Sequence, residues 1–229
     1  MTIEPGTLSR ILRGELTPEE AARADRAKPQ VEPERDDGAW WIHQRTSLRI
    51  SDVEERTFAK FHDRDIGSAA AVKRKLEAWT PTMPHGYLLC GPVGTGKSHL
   101  TKALLIKWAT PPHKLRSLFV SVADLMDELR GSFDTSPGAP TLLGVMERFS
   151  TPDILALDDL GAEKTTEWVQ EKFRSLLDRR LALGLATFLT TNLSAEELSR
   201  RYDTRILDRL KEVAVFLRLD GTSYRGRRD

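Results

Sequence analysis

Short continuous apolar stretches recur along the chain. They are Tyr87 to Cys90, Leu118 to Val122, Ile154 to Leu157, Ala186 to Thr191 and Val213 to Leu219. Each has the length of a strand, and an unbroken apolar run, rather than strict alternation, marks a strand buried on both faces. Helical patterns lie between them: His99 to Trp108, Ala123 to Phe133, a second run ending at Phe149, and residues 165–182, where Val169, Phe173, Leu176 and Leu177 share one face. Ser136-Pro137-Gly138-Ala139-Pro140 reads as a loop. Ser194-Ala195-Glu196-Glu197 caps one more helix. Strand and helix alternate from about residue 52 onward. This predicts an α/β fold with a parallel sheet covered by helices on both faces.

Residues 1–50 break this pattern. Thr17-Pro18-Glu19-Glu20 is a helix start, with a capping box and proline at the first helical position. Leu8, Ile11 and Leu12 form one short apolar face, too small for a core of its own. Residues 28–38, rich in Pro, Glu and Asp, read as a linker, and Trp40-Trp41-Ile42 marks the return to buried structure. The chain therefore divides into an N-terminal helical and linker segment, 1–50, and a main domain, 51–229. The small apolar face suits docking to a partner or packing on the main domain equally well.

Composition narrows the class. With 229 residues, 39% of them hydrophobic, the chain can bury a real core. No apolar run reaches membrane-helix length and no signal-peptide pattern opens the chain. The single cysteine, Cys90, lies on the first of the main-domain strands, so no disulfide framework is possible and a cytoplasmic protein without a membrane partner is expected. His43, His62, His85, His99 and His113 show no metal-ligand spacing. A net charge of +1 means that any nucleic-acid surface must be a local patch.

The candidate chemistry starts at Gly91-Pro92-Val93-Gly94-Thr95-Gly96-Lys97-Ser98, which matches G-x-x-x-x-G-K-[ST] at every fixed position between a strand and a helix. Glycines let the backbone curl so that successive N–H groups face phosphate oxygens, and the helix N-terminus adds positive potential there. These eight residues, with His99 beginning the helix, are the candidate contacts for ATP or ADP. Lys97 is placed for the β- and γ-phosphates and Ser98 for Mg²⁺. The strand Ile154 to Leu157 ends in Asp158-Asp159. Behind a phosphate loop, Asp158 suits Mg²⁺ and Asp159 suits polarising the attacking water. Thr190-Thr191-Asn192 ends the next strand; Asn192 fits either a water-holding amide or a simple turn. Arg205 and Arg209, four apart on one helical face, read on spacing alone as salt-bridge partners of Asp208 or Glu212.

Taken together, the motifs resemble the DnaC/IstB group of AAA+ ATPases, which includes replicative helicase loaders. The likeness runs from about Thr57 to Arg225. It rests on Thr57-Phe58-Ala59-Lys60-Phe61, the phosphate loop, Leu157-Asp158-Asp159-Leu160-Gly161-Ala162-Glu163, Thr190-Thr191-Asn192-Leu193-Ser194, Arg205-Ile206-Leu207-Asp208-Arg209-Leu210 and Ser223-Tyr224-Arg225, in that order. The resemblance implies a five-stranded parallel sheet in the order 5-1-4-3-2, with the C-terminal lid absent or truncated. It implies Asn192 as the sensor-1 residue, Arg209 as an arginine finger reaching a neighbouring subunit's ATP, and Arg225 as a sensor-2 contact to ATP in its own subunit. It also implies that the helix pair from about Ala123 to Phe149 borders a single-strand DNA groove. Lys114, Arg116, Arg130 and Arg148 are then candidate phosphate contacts, although the residues alone read equally as a solvated face. Phe133 is the aromatic candidate for base stacking. Asp159 stands where many AAA+ ATPases have Glu, so slow, switch-like turnover is expected.

The implied function is ATP-gated loading of the replicative hexameric DNA helicase onto single-stranded DNA by a homo-oligomer, in the cytoplasm at the nucleoid. The alternative is a transposition helper of the IstB type that binds duplex DNA and recruits a transposase. A small-molecule kinase shares the phosphate loop, but the Asp-Asp pair, Thr190-Thr191-Asn192 and Arg209 argue against it. A module using ATP only as structural glue is excluded if hydrolysis is measured and lost on Asp159→Asn. One cysteine cannot build the cysteine-based zinc site of some loaders.

Overall fold

The computed structural model describes residues 42, 43, 46–61, 68–133, 136, 138–164 and 166–221. The expectations for Thr17 to Glu20, for the Leu8 face, for the 28–38 linker, for Trp40 and Trp41, and for Arg225 lie outside these residues. The described chain runs α1 (Ile50–Glu55), α2 (Ala69–Ala78), β1 (Gly86–Cys90), α3 (Lys97–Ala109), β2 (Ser117–Ser121), α4 (Val122–Gly131), α5 (Leu142–Ser150), β3 (Ile154–Leu160), α6 (Glu167–Ala182), β4 (Ala186–Thr191), α7 (Ala195–Arg201), α8 (Thr204–Val213) and β5 (Ala214–Arg218). The strands form one five-stranded sheet in the order β2-β3-β4-β1-β5, with every pair parallel. Read from the other edge, this is the order implied by the resemblance.

The boundaries differ from the sequence reading in instructive ways. β2 stops at Ser121 because that side chain accepts the Asp124 N–H and caps α4, so Val122 opens a helix instead of closing a strand. α3 starts two residues early because the phosphate loop turns directly into it, with Gly96 at the N-cap. β3 continues through both aspartates to Leu160. The sequence pattern did not reveal α1 and α2. One is six residues long, and the other has only Val72 and Leu76 as large buried side chains.

Alternating pleat positions send neighbouring side chains to opposite faces, and both faces are covered. Leu88, Leu155, Leu157 and Leu189 pack against α4, α5, α6 and α8. Leu89, Ile154, Ala156, Phe188 and Leu217 pack against α1, α2 and α3. α3 has nine of its thirteen residues buried, Lys97 and Thr101 among them, because it lies between the sheet and α1 and α2. Ile42 and Leu48 join this second cluster, so buried structure begins before residue 50. Arg180 on α6 is wholly buried at the N-terminal edge of the sheet. Its guanidinium donates to the carbonyls of Pro152 (2.9 Å) and Ala186 (2.6 Å) and to the Thr187 hydroxyl (3.0 Å). It thereby ties α6 to the starts of β3 and β4. Burial pushes its pKa down to about 9 and Asp153 acts the other way, so it stays charged at neutral pH. Among the described residues, no helix is long and apolar enough to cross a membrane.

Candidate functional site

Parallel strands bring their C-terminal ends to one edge of the sheet, and the candidate residues gather there. The phosphate loop leaves β1 at Gly91, whose φ is +153°; a Cβ there would stand 2.1 Å from the Leu219 carbonyl oxygen. Gly96 has φ +93°, and a Cβ there would stand 2.5 Å from the Phe61 ring. Only glycine fits at both points. The buried Thr95 hydroxyl donates to the Pro92 carbonyl at 2.9 Å and pins the loop on itself.

Lys97, 6% exposed, donates to the carbonyls of Gly91 (2.7 Å) and Pro92 (2.8 Å) and to Asn192 Oδ1 (2.7 Å). The other end of the Asn192 amide, Nδ2, donates to Asp159 Oδ1 at 2.6 Å. The amide orientation follows, because its oxygen faces an ammonium and its nitrogen a carboxylate. Ser98 Oγ donates to Asp158 Oδ1 at 2.8 Å, and the Thr190 hydroxyl donates to the same oxygen at 2.6 Å. Thr190 Oγ1 in turn accepts the Asp159 N–H at 2.9 Å. The phosphate loop, the acid pair and the end of β4 are thus one hydrogen-bonded unit.

A β-bulge sets the acid pair. Leu157 is opposite Leu189, but Leu160 is opposite Thr191, so β3 carries one extra residue against β4. Asp159 takes up the difference with φ +59°. A bulge re-aims side chains beside a site, and aspartate tolerates the left-handed region better than most residues. Asp158 and Asp159 consequently both face a cleft of about 990 Å³, together with Val93, Gly94, Gly96, Lys97, Ser98, His99 and Asn192. The cleft size suits a nucleotide. Ser98 Oγ beside a carboxylate is a hard-oxygen pair of the kind Mg²⁺ takes.

The remaining sequence candidates sit differently. His99 borders the cleft, but its ring Nε2 is 2.8 Å from the Thr57 carbonyl and its ring centroid is 5.4 Å from that of Phe61 in an edge-on pair. Arg209 on α8 is not among the cleft residues. It donates to Asp178 on α6 and, at 2.5 Å, to Glu212. Those bonds, Glu212 first and then Asp178, raise its proton affinity further. Arg205 is exposed on the same helix. Arg116 precedes β2 at the sheet edge opposite the phosphate loop, and it donates to the Thr151 carbonyl at 2.8 Å. Lys114 lies in the turn before it, with φ +54°. Arg130 pairs with Asp127 at 2.6 Å, and Arg148 pairs with Glu128 at 2.5 Å while lying over the Phe149 ring. Phe133 is 61% exposed, with its ring 5.3 Å from that of Trp168 on α6. Cys90 is half-buried on β1, and burial pushes its thiol up, away from reactivity.

Sequence reasoning gave no role to Thr190, Glu55, Arg56, Lys60 or Phe61, all at the site. A hydroxyl two residues before Asn192 was the available signal for Thr190. The segment around Arg56 has no periodic signal, because it reaches the cleft only through the packing of α1 on α3.

A family model described as IstB-like ATP binding protein matches residues 53–229. A Bacillus subtilis (strain 168) protein named replicative helicase loader DnaI is 29% identical over 153 residues, covering 61% of this chain and 47% of that protein. One from Buchnera aphidicola subsp. Schizaphis graminum (strain Sg), named replicative helicase loader DnaC, is 27% identical over 168 residues, covering 72% and 65%. The chain therefore spans roughly half to two thirds of the length of these curated relatives. A crystal structure of DnaI superposes with a TM-score of 0.62 at 24% identity, covering 78% of this chain and 94% of that one, which shows a common fold.

Proposed function

Because the chain belongs to the family of IstB-like ATP binding proteins, we propose that it is an ATP-hydrolysing loader that places the replicative hexameric DNA helicase on single-stranded DNA. It works as a homo-oligomer in the cytoplasm, at the nucleoid. The observation that carries the ATPase reading is the bonded unit Ser98–Asp158–Thr190 and Lys97–Asn192–Asp159. Loop N–H groups and Lys97 hold the phosphates. Ser98 and Asp158 would hold Mg²⁺, which would supply neutralisation of phosphate charge when bound. Asn192 orients the Asp159 carboxylate through Oδ1 and leaves Oδ2 to take the proton of the attacking water. Arg209, at the surface and away from its own cleft, serves the ATP of the next subunit, and Arg225 serves its own.

Two relatives carrying the name replicative helicase loader support the helicase as partner. Residues 1–50 are the docking segment and 51–229 the ATPase domain in this reading. A pull-down tests it, using the chain loaded with a non-hydrolysable ATP analogue and a parallel bait lacking residues 1–50. Recovery of the replicative helicase, lost on truncation, supports the loader. Recovery of a transposase moves the protein to the transposition-helper class, which the family model equally accommodates.

Single-strand binding is supported by the 61% exposed Phe133, which lies three residues after Arg130 just past the end of α4, with its ring 5.3 Å from that of the half-buried Trp168. Stacking contributes about 1–3 kcal/mol per base. Trp168→Ala is therefore expected to weaken binding of a labelled oligothymidine by about 10-fold, leaving duplex binding unchanged. Equal loss on both, or on neither, removes this pair from the DNA site.

A further inference from the structure

Among the described residues, Glu163 is the one buried carboxylate, 4% exposed. Nothing in the ATPase chemistry uses it. It lies four residues after Asp159, in the loop between β3 and α6. Its Oε2 accepts the Gly161 N–H at 2.9 Å, and its Oε1 accepts the Tyr202 hydroxyl. Its main-chain carbonyl accepts the Arg201 guanidinium. Burial first, and then the carboxylate, push the Tyr202 hydroxyl well above its ordinary pKa, so it remains a donor.

These contacts join two parts of the molecule. On one side is the strand end that carries the acid. Gly161 there has φ +99°, and a Cβ would stand 2.4 Å from Leu193 Cδ1, the side chain next to Asn192. On the other side are Arg201, which ends α7, and Tyr202, in the turn before α8. Asp203 caps α8 by accepting the Ile206 N–H at 2.9 Å, and its own N–H is held by Gln170 Oε1 at 3.0 Å. Arg209 lies less than two turns further along that helix. A buried carboxylate with two donors from different segments is costly to disturb, since each freed donor loses its partner without gaining water.

We propose that Glu163 is a positioning residue that holds the Asp159 loop and the α7–α8 pair as one unit, so that the geometry of the acid at a subunit's own site and the presentation of Arg209 to the next subunit are set together. This rests on the roles given to Asp159 and Arg209 under the proposed function.

Subunit mixing tests it with the full chain. Lys97→Ala subunits keep the finger but not their own nucleotide site, and Arg209→Ala subunits keep the site but not the finger. Each is inactive alone, and the mixture is expected to regain ATP hydrolysis. A mixture that stays inactive overturns the finger assignment and this inference with it. Glu163→Ala is then placed first in the Arg209→Ala subunit and separately in the Lys97→Ala subunit. Each placement is expected to lower the regained turnover by about 10²-fold, the cost of misplacing a reacting group by about 1 Å, while ATP affinity of the Arg209→Ala subunit is unchanged. Full turnover in either arm, with the parent mixture active, overturns the coupling. Glu163→Gln is expected to restore most turnover, because its amide accepts from Gly161 and donates to the Tyr202 oxygen. A loss as deep as with alanine overturns a positioning role. If Glu163→Ala does not fold, Tyr202→Phe reads the same two arms, with an expected loss of about 10-fold, which is about 1.4 kcal/mol, the net worth of one hydrogen bond.

Discussion

Arg209→Ala is expected to leave ATP binding unchanged and to lower hydrolysis by the assembled protein by about 10³–10⁵-fold, the worth of a finger supplied in trans. The structure makes the two effects separable. Arg209 is outside its own cleft, so its removal takes no contact from the nucleotide held by the same chain. Its partners, Asp178 and Glu212, lie on α6 and on α8 itself, and all three side chains are 38–46% exposed. Ion pairs this exposed contribute little to stability, so thermal unfolding of the variant should match that of the parent chain. Binding of a fluorescent ATP analogue and phosphate release at several protein concentrations read both effects. Full activity of the assembled variant would falsify the trans assignment and return Arg209 to the salt-bridge reading that spacing alone favoured.

The second large effect belongs to the bulge. Asp159→Asn is expected to keep ATP affinity and cut hydrolysis by about 10²–10⁴-fold, the range for loss of a general base. Asparagine also tolerates the left-handed backbone at φ +59°, so the fold should survive the change and the loss should fall on turnover. Single-turnover phosphate release separates it from binding. If turnover persists within threefold, the base lies elsewhere in the cleft and the 2.6 Å bond from Asn192 to Asp159 serves only to hold the strand ends together. The same backbone accounts for aspartate rather than glutamate here, since the longer acid lacks aspartate's tolerance of that region. Slow turnover is expected from the shorter reach, and Asp159→Glu is expected to be a poor remedy because it trades reach for backbone strain.

Much of this was legible along the chain because its physics is local. The phosphate loop is eight consecutive residues whose motif is complete in itself, and the positive φ at Gly94 and Gly96 is the local conformation that glycine answers. The five strands were visible because burial on both faces demands unbroken apolar runs, and their alternation with helices restricts the sheet to parallel connections. The resemblance implied the strand order. The capping residue Ser194 was readable because its bond to Glu197 spans three positions.

Other features depend on groups far apart in sequence, and no local pattern encodes them. Ser121 reads as part of a strand until its hydroxyl is seen to cap α4. The bulge at Asp159 exists only as a register between β3 and β4, so neither strand shows it alone. Arg180 reads as one more charge on an amphipathic helix, yet carbonyls from two strand starts bury it completely. Glu163 meets Tyr202 across 39 residues, and Lys97 meets Asn192 across 95. The sequence by itself determined the phosphate loop, the acid pair and the parallel α/β class, because each follows from neighbouring residues and their need to bury or curl. Only the tertiary structure decided that Asn192 bridges Lys97 and Asp159, where Arg209 rests and what Glu163 joins, because those are settled by hydrogen bonds that form once distant strand ends meet at one edge of the sheet.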